Sequence, residues 1–241
     1  MKYLFNRNQG RSYSFTPGGE TKLLLHMDGV DESTTFTDSS ASAHVVTAEG
    51  DAQLSTDLMK FGTASALLEG GGNYLSIPSS NDWNMGVNPF TIDCWISRNV
   101  TSQALCSQYG DVDNHVRWYL ISTTTMVFEM RVDGEQEVYV SATDLSLPYN
   151  SGFTYKNHVA VIRGWGGNAN AFAITLNGRQ VGNIDTFAGE WPSMSAPFRI
   201  GRVNYGTPAD VYWNGYIDEF RVVRGEAWWT QGFIPPWKAY G

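Results

Sequence analysis

The sequence predicts an all-β protein: a two-sheet antiparallel jelly-roll-like sandwich carrying an extended N-terminal arm. Three observations support this expectation. Apolar residues recur with a period of two, and sustained helical periodicity is missing. Asp133-Gly134 and Asn177-Gly178 fall between alternating runs, where two-residue hairpin turns need the left-handed conformation. The chain has 25 glycines and 14% aromatic residues, which suits many turns and many pleated strands.

Residues 1–20 stand apart. Tyr3, Phe5, Tyr13 and Phe15 alternate with polar residues, and Pro17-Gly18-Gly19 closes the segment. One reading is an edge strand or frayed terminus. The other is an arm laid on a neighbouring subunit, since exposed apolar strips and open edges find partners. The domain then spans 21–241. It opens with Leu-Leu-Leu-His-Met-Asp-Gly (Leu23 to Gly29) and finishes with Gly-Tyr-Ile-Asp-Glu-Phe-Arg-Val (Gly215 to Val222), then Phe233-Ile234-Pro235-Pro236. An acidic residue among apolar neighbours at both ends points to a sandwich closed by pairing its first and last strands.

Between these ends, strand-like runs cover 65–69, 74–77, 116–122, 126–132, 158–163, 198–203 and 216–223. Phe90, Ile92, Cys94 and Ile96 point one way, and Thr91, Asp93, Trp95 and Ser97 the other. Val138 and Val140 alternate with Glu137, Tyr139 and Ser141, and Phe172, Ile174 and Leu176 with Ala173, Thr175 and Asn177. Around fourteen short strands with almost no helix argue for two sheets packed face to face. On the last strand, strict alternation puts Tyr216, Asp218, Phe220 and Val222 on one face and Ile217, Glu219, Arg221 and Val223 on the other.

The 241 residues carry a net charge of −8, which argues against binding a nucleic-acid backbone. No run reaches the ~18 apolar residues of a membrane helix, and the first twenty residues do not resemble a secretory signal. Two cysteines make no disulfide scaffold. Cys94 and Cys106 are read as buried thiols, with pairing across one hairpin as the alternative.

Several segments, in order, resemble the laminin G-like branch of the concanavalin A-like lectin/glucanase superfamily over roughly residues 21–237. They are Leu23 to Gly29, Phe-Thr-Asp-Ser-Ser (36–40), Lys-Phe-Gly-Thr-Ala-Ser-Ala (60–66), Asn-Tyr-Leu-Ser-Ile-Pro (73–78), Phe-Thr-Ile-Asp-Cys-Trp-Ile (90–96) and Gly215 to Val222. The short arm and the Phe-x-Pro-Pro ending resemble domains of bacteriophage structural proteins. That resemblance implies a virion-surface protein, a tail fibre, spike or capsid decoration. It would contact other virion proteins through residues 1–20, form a symmetric homo-oligomer and display a lectin-like domain. The alternative is a secreted or cell-surface carbohydrate-binding module.

The resemblance also implies a structural Ca²⁺ between first and last strands. Asp218 maps to the acidic position of the last strand, Asp28 or a nearby carbonyl serves from the first, and Asp38 is a further ligand candidate. Calcium takes about 6–8 oxygens, so carbonyls and waters would complete the shell. The other reading of Asp218 is a turn cap or an Arg partner. The four histidines are scattered and give no zinc spacing.

Three functional classes are compatible with such a fold. Retaining glycosidases need two carboxylates about 5 Å apart. The related glucanases carry Glu-x-Asp-x-x-Glu or Glu-x-Asp-x-Glu on one strand, and neither occurs here. Glu135 and Glu137 have the spacing but flank a hairpin turn. A non-catalytic role is therefore expected. Glycan binding is favoured by nine tryptophans, because sugars present apolar C–H faces to aromatic rings. Trp165 in its glycine-rich loop, with Arg163 and Asn168 beside it, leads the candidates, followed by Trp191 and Trp213. Each ring has packing as its competing role, and Trp228, Trp229 and Trp237 are expected to pack the C-terminal segment. The third class is an assembly unit of the virion, which is compatible with binding.

Overall fold

The computed structural model describes residues 21–100, 103–147, 157–204 and 210–240. The predicted arm, residues 1–20, lies outside them. The first strands are β1 (Thr21–Leu25), β2 (Phe36–Thr37), β3 (Val45–Glu49), β4 (Gln53–Ser55), β5 (Ser65–Glu69) and β6 (Tyr74–Ile77). Next come β7 (Phe90–Arg98), β8 (Gln103–Tyr109), β9 (His115–Leu120), β10 (Met126–Val132), β11 (Glu135–Ala142) and β12 (Asn157–Arg163). The last are β13 (Ala171–Leu176), β14 (Arg179–Thr186), β15 (Phe198–Ile200), β16 (Arg202–Val203), β17 (Val211–Tyr212) and β18 (Asn214–Arg224).

These strands form the expected sandwich. One sheet runs β14-β13-β12-β7-β18-β5-β4, the other β11-β10-β9-β8-β15-β6-β3-β2, and β16 and β17 pair separately. All pairings are antiparallel among the described strands. The termini close the fold as anticipated. β18 pairs with β7 along one edge, so β5 (against Asn214 to Ile217) and β1 (against Phe220 to Val223) share the other edge end to end.

The core lies between the sheets. Phe90, Ile92, Cys94 and Ile96 of β7 face Trp118 and Phe128 of the opposite sheet in one buried cluster. Each such side chain contributes about 1.5–3 kcal/mol by leaving water. Phe90 meets Trp191 edge-on at 5.3 Å and Phe172 at 5.9 Å, an arrangement aromatic quadrupoles favour. On one side of the sandwich the edge strands β11 and β14 meet. Tyr139 and Ser141 donate their backbone N–H to Asp185 Oδ2 and Asn183 Oδ1, both at 2.7 Å, so side chains blunt the open edge. The close approach needs Gly182 (φ +71°), where a Cβ would sit 2.2 Å from Ser141 O.

The pairing bears out the buried-thiol reading of the cysteines against the hairpin bridge, and corrects the alternation on β18. Cys94 and Cys106 are free thiols on consecutive strands of different sheets, so no hairpin joins them. Burial pushes both thiols up, and Cys106 adds to the shift at Cys94. On β18 the strict alternation breaks at a bulge between Asp218 and Arg221, where Glu219 adopts φ +50°. The extra residue shifts the phase. Ile217, Phe220 and Val222 therefore belong to the core, while Asp218 and Arg221 leave it.

The chain beyond β18 crosses the outer face of the first sheet. Trp228 N–H donates to Thr91 Oγ1 (3.0 Å), Gly166 N–H to Thr230 O (2.7 Å) and Phe233 N–H to Gly178 O (2.9 Å). Trp229 stacks on Phe233 at 3.8 Å, and both rings present their surfaces edge-on to His158. A second small core of Ala160, Ile162, Trp165, Ala171 and Ala173 closes beneath this segment.

Candidate functional site

A buried polar network anchors the C-terminal segment. Arg221 Nε donates to Asp93 Oδ1 (2.9 Å) and its Nη2 to Asp93 Oδ2 (3.2 Å). His158 Nε2 lies 3.1 Å from Asp93 Oδ2, and the Tyr240 hydroxyl donates to the same oxygen. Burial works to raise the Asp93 pKa, but Arg221 and His158 outweigh it and hold the carboxyl below its ordinary range. Burial pushes His158 down despite the pull of Asp93. Tyr240 N–H also donates to Glu219 Oε2 (3.1 Å), whose other oxygen is bonded to His26 and raises the His26 pKa. The Arg221 guanidinium sits 3.8 Å from the Tyr240 ring and 3.9 Å from that of Trp228. The network is thus a structural clamp, in which His158 Nδ1 is left without a hydrogen-bond partner among the described residues.

The sequence-selected binding residues take packing roles. Trp165 belongs to the small core beneath the tail, and Trp191 and Trp213 to the main core. A ring shut away from solvent offers no face to a sugar. Arg163 is wholly buried and donates to the carbonyls of Ala169, Gly86, Phe187 and Gly189, tying three loops together. Asn168 is exposed, with its Oδ1 accepting the Asn170 N–H. Trp237, by contrast, was expected to pack, yet it is 82% exposed.

The three candidate calcium ligands do not assemble into one site. Asp38 accepts four hydrogen bonds, from Leu24 N–H, Ser40 N–H, Ser40 Oγ–H and His44 N–H. Asp28 Oδ1 takes the Thr63 N–H and hydroxyl. Asp218 Oδ2 caps the 60–61 backbone, accepting from Lys60 N–H (2.6 Å) and Phe61 N–H (3.1 Å). Among the described residues, donors reach both oxygens of Asp38 but only one oxygen each of Asp28 and Asp218. No group of three or more His, Cys, Asp or Glu side chains gathers for a metal among the described residues. Asp218 thus caps a turn through one of its two oxygens. Its Oδ1 is buried without a hydrogen-bond partner among the described residues, and burial pushes the carboxyl up to about 7.

The surface offers two concavities of note. A notch of about 380 Å³ between loops 79–84 and 192–195 is lined by Ser, Asn and Gln with no aromatic ring. A groove of about 1110 Å³ runs between the β13–β14 turn and the tail. Asn177, Arg179 and Gln180 form one wall, Ile234 to Trp237 the other, and Lys60 and Trp95 lie along it. Lys60 Nζ sits 4.2 Å from the Trp95 ring centroid, a cation–π contact. Trp95 Nε1 is buried with no hydrogen-bond partner among the described residues. The two walls are locked together at Gly178 (φ +77°), which lets Phe233 O approach to 1.9 Å from where a Cβ would stand. Apolar and aromatic surface with a few polar side chains is the composition of a small-molecule groove.

A family model described as concanavalin A-like lectin/glucanases superfamily matches residues 69–227. The chain belongs to this superfamily. A search of curated protein sequences found no match. Among solved structures, domain 4 of AbnA, a GH43 extracellular arabinanase from Geobacillus stearothermophilus in complex with arabinotriose, is similar at TM-score 0.60 and 14% identity, covering 86% of this chain and 94% of that one. The binding domain of botulinum neurotoxin DC in complex with SialylT is similar at TM-score 0.60 and 16% identity, over 86% of this chain and 48% of that one. The binding domain of Paraclostridial Mosquitocidal Protein 1 follows at 0.59 and 13%, over 86% and 49%. The chain spans about half the length of both toxin domains. At these identities the likeness establishes the shared concanavalin A-like fold.

Within this superfamily fold, the groove residues escaped the sequence reading for a simple reason. Arg179 and Gln180 look like an ordinary hairpin flank after Asn177-Gly178, and Lys60 like a loop charge. The usable signal was Pro235-Pro236. Two residues without N–H donors cannot join a sheet, so the aromatic that follows them is free to stand in solvent.

Proposed function

We propose that this domain is a non-catalytic carbohydrate-binding module of a secreted or cell-surface protein, and that it binds saccharide in the groove between the β13–β14 turn and the tail. One observation carries the reading: of nine tryptophans, Trp237 alone is classed as exposed, and it stands on the wall of a groove that also presents Asn, Gln, Arg and Lys side chains. A sugar stacked on that ring would meet hydrogen-bonding groups opposite. The arabinanase domain with its arabinotriose, and the toxin binding domain with SialylT, support saccharide recognition on this scaffold. Among the described residues no carboxylate lines the groove, which supports binding without cleavage, since glycoside hydrolysis requires an acidic pair. The virion-surface reading draws no support from these relatives, none of which is a phage protein by its description. The test is a glycan array on the full chain, followed by calorimetry on its hits with wild type and Trp237→Ala. The expected result is saturable binding that Trp237→Ala removes, with no sugar released on incubation. Failure of every saccharide to bind, or unaltered binding by Trp237→Ala, would overturn it.

A further inference from the structure

The groove has a charge character that the whole chain does not share. The protein carries 24 acidic against 16 basic residues, yet among the described residues no Asp or Glu lines this groove, while Lys60 and Arg179 both do. A third cation stands at its mouth: Lys238 Nζ lies 5.8 Å from the Trp237 ring centroid. Arg179 is exposed, and its guanidinium has no ion-pair or hydrogen-bond partner among the described residues. Such a planar five-donor group suits two-pronged binding of a carboxylate. Lys60 rests on the Trp95 ring, which fixes its ammonium along the groove floor. A further donor accompanies the charges. Asn177 spends its Oδ1 on the His158 N–H (2.9 Å), which leaves its Nδ2 group as a donor. The site is therefore rich in donors and positive charge, with an aromatic ring at one end. A neutral sugar, whose hydroxyls donate as often as they accept, leaves this donor excess unmatched. A sugar ring bearing a carboxylate matches it.

We propose that the groove selects acidic saccharides, the carboxylate of a uronic or sialic acid residue lying between Arg179 and Lys60 with an adjoining ring stacked on Trp237. This rests on the saccharide-binding reading of the same groove and narrows its ligand class.

The experiment is calorimetric titration of the full chain with five saccharides. Trigalacturonate is compared with its methyl ester, which removes the charge and keeps the rings, and 3′-sialyllactose is compared with lactose. Arabinotriose serves as an unrelated neutral control. The expected result is at least about tenfold tighter binding of one acid over its neutral partner, or about 1.4 kcal/mol. The pair that shows the preference identifies the source of the carboxylate. Arg179→Gln, an exposed position, should narrow the preference for the acid over its neutral partner about tenfold, and Arg179→Lys should retain part of it. Lys60→Gln should act in the same direction. Equal binding of acid and neutral forms would overturn the acidic preference while saccharide binding stands. Binding of none of the probes, with none on the array, would overturn both.

Discussion

Asp218 offers a sharp test of how the outer face of the first sheet is built. Its carboxyl is fully buried, accepts two backbone hydrogen bonds on one oxygen and has the other unpartnered among the described residues. Burial raises its pKa from 3.8 to about 7. For a carboxyl raised on folding, the protonated form favours the native state. The stability it contributes is fully present below pH 3.8 and is lost as pH rises through about 7. A shift of about three units, at roughly 1.4 kcal/mol each, sets an upper bound of about 4 kcal/mol. Asp218→Asn keeps a carbonyl oxygen for Lys60 and Phe61 N–H and carries no charge. Urea unfolding of both proteins at pH 4, 6 and 8 should show the variant about 1–4 kcal/mol more stable at pH 8, with the gap closing by pH 4. A variant less stable at pH 8 would refute the reasoning. It would mean that the ionised carboxylate has a partner of its own, and a cation held there would give that result.

The calcium expectation has its own check: EDTA should leave the melting temperature of the wild type unchanged, and a fall would restore the metal. Arg221→Met strands the buried Asp93 charge and should cost about 3–5 kcal/mol by denaturant titration, with Tyr240 fluorescence reporting release of the tail. Gly178→Ala forces a Cβ against Phe233 O and should cost about 1–3 kcal/mol. It should also open the segment after residue 225 to limited proteolysis, and an unchanged digest would count against the lock between the groove walls. Trp237→Ala, by contrast, should leave stability within about 0.5 kcal/mol of wild type, because an exposed ring buries little. Cys94 and Cys106 should resist a thiol reagent in the native protein and react once it is unfolded.

Architecture was legible because it depends on repeated, redundant signals. The runs over 65–69, 74–77 and 126–132 became strands at those bounds, and the pairing of β1 with β18 follows from matched apolar ends. Short strands such as β3, between β6 and β2, and the edge strand β4 were missed, since Val45 to Glu49 and Gln53 to Ser55 carry no clean apolar–polar alternation. The bulge at Glu219 was not legible either. It needs a non-glycine residue at positive φ, a conformation favoured by tertiary contacts with His26 and Tyr240. The candidate site fared worst, for a physical reason. A tryptophan in a polar loop reads the same whether its ring turns outward or plugs the end of a sandwich, and Trp165, Trp191 and Trp213 all turn inward. Only the path of the tail, set by the Arg221–Asp93–Tyr240 clamp, decides that Trp237 faces solvent beside Arg179.

The decisive observation would come from NMR on the full chain with ¹⁵N-labelled tryptophan, titrated with the saccharide that the array ranks highest. Nine indole N–H signals are available, one for each tryptophan. The groove predicts a saturable shift of the Trp237 signal, accompanied by Trp95, with Trp118 and Trp213 in the core unmoved. Saturable binding that leaves Trp237 and Trp95 unshifted would place the ligand elsewhere on the sandwich and contradict the site assigned to it.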